Sequence, residues 1–410
     1  MLSIQTLGTM TKDKVAYYTE LAATGYYTEA EEPAGQYFGK LASVLNLDQK
    51  AVTQEDLLEL AKGFDTKGKA LVANAGDEHR MGIDLTFSAP KSVSVCFGLA
   101  GTELRTAIQK AHESAVKAAL TYAEQNFIQV RHGFEDNQQR RMINTGNALF
   151  ALFEHGSSRS NDPLLHTHAV LLNFSQVKNG EFRCLEAPDL FNYKKALGAL
   201  YRAELANQLE ALGLKTEADE EFFKVTKVPD ELCKLFSKRS NEIHDLLQEG
   251  GFTRANAKLK QNAALFTRQA KTHQSRETLY KNWAVEAEQI STWKPEQAFT
   301  KDRNQNKVDT EKLLESLTEK KSLFTYPDFL EQVFIHFQHA GLSSREAEEF
   351  AKATLESKAI RRIQHPQAGI CYTTEQQYQL EMSFYKEMTE YLDRWRTAHA
   401  RCPAFLPAWL

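Results

Sequence analysis

The sequence predicts an α+β protein with a central antiparallel β-sheet flanked by helices. Two strongly apolar stretches, Asn147 to His155 and Leu165 to Phe174, are separated by the turn-rich residues GSSRSNDPLL, a pattern typical of neighbouring antiparallel strands. Amphipathic runs of good helix formers over Thr102 to Asn126 and over Leu197 to Leu212 predict two helices, and Gly213 ends the second.

The N-terminal third predicts further helices and another strand. Asn46 to Lys62 is typical of a pair of helices with acidic early turns. Ile83 to Ser88 alternates apolar and polar residues, as a half-buried strand does, and Ala89-Pro90 ends it before the apolar run Val93 to Leu99. We therefore expect this strand to lie in the sheet.

The C-terminal part predicts a small unit after a linker. The polar run KDRNQNKVDTEK is typical of a linker. After it, Phe324 to Ile363 predicts two helices, Arg361 to Thr373 predicts two short strands around the turn HPQAG, and Glu375 to Thr397 predicts a final helix. This order of elements indicates a small helical or winged-helix-like unit.

Length and composition set limits on the class of protein. The 410 residues suggest two or three units at roughly 150 residues each; we expect a main domain at 1–300 and the linker with the small unit at 301–410. A chain with 42% hydrophobic and 25% charged residues is not disordered. Its five cysteines, widely spread and never in a C-x-x-C pair, favour a reducing cytoplasm over a disulfide framework or a cysteine zinc site. No membrane-spanning run or signal peptide is evident.

The charge is unevenly distributed along the chain. A net charge of −4 argues against a protein that coats nucleic acid non-specifically. Between Arg254 and Lys281, however, seven Lys or Arg residues stand against one acid, Glu277, on a helical periodicity. This region predicts a face that binds nucleic acid. A solvated helix face without functional consequence is the alternative.

Three histidines, His155, His166 and His168, form the sharpest candidate site, with the spacing H-x10-H-x-H. Residues two apart on a strand point to the same face, and His155 can lie beside the other two across the hairpin. Three neutral imidazoles can hold a divalent cation and leave positions open for water or a phosphodiester oxygen. The alternative is that these histidines only fill core or surface positions.

Four tyrosines of the chain's 14 lie within eleven residues near the N-terminus: Tyr17, Tyr18, Tyr26 and Tyr27. A phenol with a pKa of about 10 becomes a nucleophile when a cation or a base lowers the cost of its ionisation. Its attack on a DNA phosphodiester would form a phosphotyrosine ester and release a 3′ hydroxyl, so the step would be reversible. Aromatic pairs are otherwise typical of packing or of base stacking.

A carboxylate and two cations complete the candidate residues. A charged side chain on a central strand is costly unless it is paired, so we expect Asp84 to meet a histidine or a tyrosine hydroxyl. It could then orient a metal-ligating imidazole or accept the nucleophile's proton. Lys91 or backbone amides are the alternative partners. Arg159, in the turn between the histidine strands, could reach a phosphate, although it could equally be a surface residue.

Together these motifs resemble the MobF-type conjugative relaxases, the F-plasmid-like relaxase and helicase proteins. The resemblance spans about residues 1–295 and includes IDLTFSAPKSVS, TGNALFALFEH, SSRSNDPLLHTHAVLLN, YRAELANQLEALG, FSKRS and TRQAK. It implies the α+β HUH relaxase fold, with a two-histidine motif on one strand of a central antiparallel sheet. Rolling-circle replication initiators carry their tyrosine after such a strand. Here the tyrosines precede it, which favours a relaxase.

The resemblance implies a metal-dependent, site- and strand-specific transesterase that cleaves and religates single-stranded DNA through a 5′-phosphotyrosine intermediate. By position, Tyr17 would start cleavage and Tyr26 would serve a second transfer event, with Tyr18 and Tyr27 assisting. Two alternatives remain open. A metal-dependent nuclease would use a metal-bound water, and a non-catalytic single-strand-binding or regulatory module would use the histidines only to fill a polar pocket.

The resemblance also implies the ligands of the site. A divalent metal (Mg, Mn, Zn or Ni) would be held by His155, His166 and His168, with Asp84 as the partner carboxylate. A helical flap at about 230–285, including Arg254 to Lys281, would close over single-stranded DNA. The basic residues expected to contact DNA are Lys91, Arg159, Arg254, Lys258, Lys260, Arg268 and Lys271.

The implied partners are single-stranded transfer-origin DNA with an adjacent hairpin, accessory DNA-binding proteins, a coupling protein and a type IV secretion system. The implied location is the bacterial cytoplasm, with export to the recipient cell attached to DNA. Residues 310–395 resemble the opening of the helicase part into which full-length relatives continue. We therefore expect either a chain cut at a domain edge or a short natural homologue.

Overall fold

A computed structural model describes residues 1–9, 34–134, 140–250, 259, 274–300, 307–367 and 369–399. Its strands are β1 (Leu2–Thr9), β2 (Gln36–Phe38), β3 (Arg80–Ser88), β4 (Gln129–Phe134), β5 (Arg140–Asn144), β6 (Phe150–Ser157), β7 (Pro163–Leu172), β8 (Ser175–Gln176), β9 (Phe182–Arg183), β10 (Thr216–Asp219), β11 (Phe222–Val225), β12 (Ile360–His365) and β13 (Gly369–Thr374).

The helices surround the sheet and continue into the C-terminal part, and a short 3₁₀ turn covers Pro295–Ala298. In chain order they are α1 (Lys40–Val44), α2 (Gln54–Ala61), α3 (Lys91–Leu99), α4 (Thr102–Phe127), α5 (Pro188–Asn192), α6 (Lys194–Ala211), α7 (Asp230–Leu235), α8 (Lys238–Glu249), α9 (Arg276–Glu288), α10 (Thr310–Thr318), α11 (Tyr326–Ala340), α12 (Ser344–Glu356) and α13 (Glu375–His399).

The central sheet has five strands in the order β1-β3-β7-β6-β2, and every neighbouring pair is antiparallel. This confirms the predicted α+β class, with β6 and β7 as neighbours and β3 beside them. Because β6 and β7 form a hairpin, residues far apart in the motif H-x10-H are brought directly opposite each other.

A close approach between β3 and β7 requires glycine at position 82. Gly82 has φ +151°, and a Cβ added there would lie 1.8 Å from the backbone oxygen of Leu171. Only a residue without a side chain permits this contact. The contact lies two residues before Asp84, so it helps to hold that carboxylate beside β7.

The two faces of the sheet are covered by different layers. Leu85 and Phe87 belong to the apolar cluster that also contains residues of α3, α4 and α6. Phe153 and Val170 point the other way, into the cluster formed with α1 and α2. Since side chains alternate along a strand, the residues that continue the Phe153 and Val170 series toward the hairpin turn lie on this second face.

One helix prediction needs correction. Asn46 to Lys62 does not contain two helices, because α1 lies before this segment and only α2 falls within it. Asn46 and Gln49 adopt positive φ angles of 57° and 61°. Residues in the left-handed region interrupt a helix. Helix α2 begins after Thr53, whose side chain caps its first turn.

The two helices predicted within Phe324 to Ile363 are confirmed as α11 and α12, and the strand pair and final helix are confirmed as the antiparallel hairpin β12–β13 and α13. Helix α10 was not predicted, and its first residues belong to the run that was expected to be a linker. Helix α11 packs against α6, where the Arg202 side chain donates to Gln338 Oε1 over 2.7 Å. Ser344 Oγ also donates to Glu204 Oε2 over 3.0 Å. Apolar residues of both parts form one continuous cluster. The domain boundary at residue 300 stays a prediction.

Candidate active site

The three histidines meet at the hairpin end of the sheet. His155 on β6 is paired directly with His166 on β7, and His168 lies two residues further along β7 on the same face. The ring centres are 5.2 Å apart for His155 and His166, 5.4 Å for His166 and His168, and 5.6 Å for His155 and His168. The hairpin register therefore produces the convergence that the spacing predicted.

Hydrogen bonds hold two of the rings by the same nitrogen. His166 Nδ1 donates to the Leu164 carbonyl over 2.9 Å, and His168 Nδ1 donates to Asp84 Oδ2 over 2.8 Å. A proton on Nδ1 leaves the lone pair on Nε2, which is the form of imidazole that ligates a metal. Both rings are thus prepared to offer Nε2.

The position of Asp84 favours the first of its two predicted roles, which is to orient a metal-ligating imidazole. Asp84 is 6% exposed, and its carboxylate pairs with His168. Thr86, two residues along the same strand, donates its hydroxyl to Asp84 Oδ1 over 3.4 Å and lies 3.1 Å from His168 Nδ1. This is the carboxylate–histidine arrangement that orients metal ligands. Thr86 was not predicted, although its place two residues after the carboxylate puts it on the same face.

The distances between the ring centres lie in the range expected for three imidazoles around one cation. An imidazole nitrogen ligates a zinc-like ion at about 2.1 Å, so the ion lies about 3.2 Å from the ring centre and three ligating rings lie roughly 4.6 to 5.6 Å from one another. The three observed separations lie in that range. As placed, however, no group of three or more His, Cys, Asp or Glu side chains among the described residues has the geometry to hold a metal ion, so it is the ring separations alone that support a metal site.

A series of hydrogen-bonded polar side chains is buried beneath the site, on the opposite face of β7. Thr167, between the two β7 histidines, is 2.9 Å from His112 Nε2, and His112 Nδ1 is 2.8 Å from the Tyr201 hydroxyl. Burial lowers the pKa of His112 to about 3, so the ring is neutral at physiological pH. These hydrogen bonds could not be predicted from the sequence, because an isolated histidine in a helix has no partner at a characteristic spacing.

Other charged residues approach the hairpin from outside the sheet. Arg276 of α9 lies 3.8 Å from Glu154, the neighbour of His155 in sequence, and both side chains are largely buried. Lys91 donates its ammonium to the carbonyls of Pro163 and Phe236 over 3.1 and 2.8 Å, and burial lowers its pKa. A DNA contact by Lys91 stays a prediction, as does one by Arg159, which lies in the turn between β6 and β7.

Several predicted site residues lie outside the described residues. They are Tyr17, Tyr18, Tyr26, Tyr27, Arg254, Lys258, Lys260, Arg268 and Lys271. The structure thus brings together the three histidines and Asp84, whereas the roles of the tyrosines and of the basic residues between 251 and 273 stay predictions.

Known proteins are similar to this chain in fold and in sequence. The family model described as TrwC relaxase matches residues 11–290. A solved structure of the conjugative relaxase TrwC with oriT DNA and copper has 33% identity and a TM-score of 0.64, and the match covers 70% of this chain and 98% of that one. A TrwC complex with a 27-mer DNA comprising the recognition hairpin and the cleavage site has 31% identity and a TM-score of 0.61, over 70% of this chain and 98% of that one.

Two curated relatives are longer than this chain. The multifunctional conjugation protein TraI of Escherichia coli strain K12 is 33% identical over 279 residues, which are 64% of this chain and 15% of the relative. A second Escherichia coli TraI is 30% identical over 343 residues, which are 75% of this chain and 19% of the relative. The chain therefore spans less than a fifth of the length of these relatives.

Fold, histidine site and these similarities define the class of protein as a conjugative relaxase. More particularly, the chain belongs to the TrwC relaxase family, since that family's model covers more than half of its residues. No helix in the described part of the chain is both long and apolar enough to cross a membrane.

Proposed function

We propose that this chain cleaves and rejoins one DNA strand at a transfer origin through a covalent 5′-phosphotyrosine. The observation that carries the proposal is the convergence of three imidazoles, two of them anchored through Nδ1, at one end of the sheet. When bound there, a divalent ion (Mg, Mn, Zn or Ni) would polarise the scissile phosphate. Relatives with the same fold have been solved in metal-bound and metal-free forms.

In the proposed reaction the Tyr17 hydroxyl loses its proton as its oxygen bonds to the phosphorus, and the bond from phosphorus to the 3′ oxygen breaks. The departing 3′ oxygen takes up a proton, and the 5′ end remains on the tyrosine. Reversal of the same step religates the strand. Tyr26 would serve a second transfer event, with Tyr18 and Tyr27 assisting, while Asp84 holds the His168 ring in place.

The segment that carries the tyrosines joins the two edges of the sheet that holds the histidines. Thr9 ends β1 at one edge of the sheet and Gln36 begins β2 at the other edge, with β3, β7 and β6 between them. This connection supports the proposal, since the histidine strands β6 and β7 lie between its two ends.

We further propose single-stranded transfer-origin DNA with an adjacent hairpin as the substrate. The basic region from Arg254 to Lys281 supports a contact with phosphates. Accessory DNA-binding proteins, a coupling protein and a type IV secretion system are the proposed partners, with action in the cytoplasm and export to the recipient cell. Residues 1–300 would form the strand-transfer domain.

The test is a covalent adduct. End-labelled transfer-origin oligonucleotides are incubated with the protein, with and without chelator, and separated on a denaturing gel. We expect a protein-linked oligonucleotide that requires metal and that Tyr17→Phe reduces at least a hundredfold. Tyr385→Phe, an exposed tyrosine of α13, is the matched control. Metal-dependent cleavage without any adduct would instead indicate a nuclease that uses a metal-bound water.

A further inference from the structure

The turn between β6 and β7 is held more firmly than an ordinary surface turn. It joins the two strands whose residues His155 and His166 lie opposite each other. The strand register shifts between His155 and Ser157, and Ser157 is paired with Pro163, which has no backbone N–H to donate to the ladder. Regular strand pairing therefore ends at the His155–His166 pair, and beyond these two histidines other contacts must hold the two strands together.

Asp162 ties this turn to the helices that follow. Its side chain is almost completely buried, and Oδ2 accepts the backbone N–H of Lys238, the first residue of α8, over 2.9 Å. The Lys238 ammonium lies 3.6 Å from Asp162 Oδ1 and 2.7 Å from Glu286 of α9. A buried carboxylate is costly without such partners, so this pairing stabilises one position of the turn.

Two further side chains hold the neighbouring residues. The indole N–H of Trp283 donates to the Asn161 carbonyl over 2.6 Å, and Lys91 donates to the Pro163 carbonyl over 3.1 Å. The last two residues of the turn, Asn161 and Asp162, and the first residue of β7, Pro163, are thus held by residues of α9, α8 and α3 respectively. We call Trp283, Lys238 and Lys91, with Asp162, the turn clamp.

We propose that Asp162 is a positioning residue for the metal ligands. Through the turn clamp it sets the separation of His155 from His166, and thereby the affinity of the three histidines for a divalent cation. The inference rests on the metal site of the proposed function. Metal sites require ligand distances within about 0.2 Å of their preferred values, so a small displacement of the turn is enough to weaken binding.

The test is a Zn²⁺ titration of the full chain against a chromophoric chelator. His166→Ala defines the site, because zinc that binds to wild type but not to this variant is bound by the histidines. We expect Asp162→Asn to weaken that binding about tenfold, as removal of a group that orients a ligand typically does. Glu210→Gln is the matched control, since Glu210 is also a buried carboxylate that accepts a backbone N–H, from Thr216 over 2.6 Å.

The outcomes separate the inference from the proposed function. If wild type and His166→Ala bind zinc equally, the metal site itself fails. If wild type binds at the histidines and Asp162→Asn binds equally tightly, or if Glu210→Gln weakens binding as much, the positioning role of Asp162 is overturned. Should Asp162→Asn not fold, Trp283→Phe removes the N–H to Asn161 together with part of the buried indole ring, and we expect about a threefold loss of affinity. Unchanged affinity in that variant would likewise overturn the role.

Discussion

The two faces of β7 use histidine in opposite ways. On one face His166 and His168 are half-buried, and each is anchored by Nδ1, so that Nε2 is the nitrogen that would ligate an ion in the proposed site. On the other face His112 is fully buried, and both of its nitrogens meet hydroxyl groups, those of Tyr201 and Thr167. A partly exposed histidine can meet an ion or a substrate, whereas a fully buried histidine that pairs with two hydroxyl groups serves the fold.

The largest effect is expected for a substitution on the face of β7 that carries His166 and His168, which we call the metal face. His166→Ala should lower metal-dependent cleavage at least a thousandfold, because it removes one of three ligands, while single-strand binding without metal changes less than twofold because phosphate contacts dominate it. Cleavage of labelled strands measures the first quantity, and fluorescence anisotropy measures the binding of single strands. His365→Ala on β12 is the control. A variant that keeps its cleavage rate would show that the converging imidazoles are not the metal site.

A substitution of His112, on the opposite face of β7, should lower the stability of the protein. His112→Ala leaves the hydroxyls of Thr167 and Tyr201 without their partner and opens a cavity, so we expect the free energy of unfolding to fall by about 2–4 kcal/mol. Urea denaturation measures this change. Zinc affinity should stay within about threefold of wild type. If affinity instead falls as far as in His166→Ala, the two faces are not separable.

An intermediate effect is expected for Asp84, which lies on the metal face but does not bind the ion in our proposal. Asp84→Asn keeps the shape of the side chain but removes the charge that orients His168. Zinc affinity should fall about 10- to 100-fold. Chelator competition measures it, with Asp189→Asn as a remote control. Equal affinities for wild type and Asp84→Asn would make the hydrogen bond irrelevant to metal binding.

The smallest effect concerns pH. Burial lowers the pKa of His112 to about 3, whereas an unfolded histidine has a value of about 6.5. Between these values the unfolded chain binds the extra proton, so stability is lost as pH falls from about 6.5 to about 3. For this group the loss between pH 6 and pH 5 is about 1 kcal/mol. In His112→Gln that part of the pH dependence should disappear; identical pH profiles for the two proteins would contradict it.

Local patterns predicted three of the five strands of the central sheet and the convergence of the three histidines. The alternation from Ile83 to Ser88 and the two apolar stretches around the turn became β3, β6 and β7. The prediction failed for Asn46 to Lys62, where two residues with positive φ interrupt what the composition favours as helix. Strand β1 was not predicted either, because much of it is exposed at the edge of the sheet and its apolar signal is weak.

The sequence by itself determined that His166 and His168 share a face and that His155 can join them, because strand periodicity and a hairpin turn depend only on nearby residues. Only the tertiary structure decided that His168 meets Asp84, which lies 84 residues away, and that Asp162 meets Lys238, which lies 76 residues away. Such pairs depend on how sheet and helices pack against one another. The packing is a property of the whole apolar core, so no short stretch of residues encodes it.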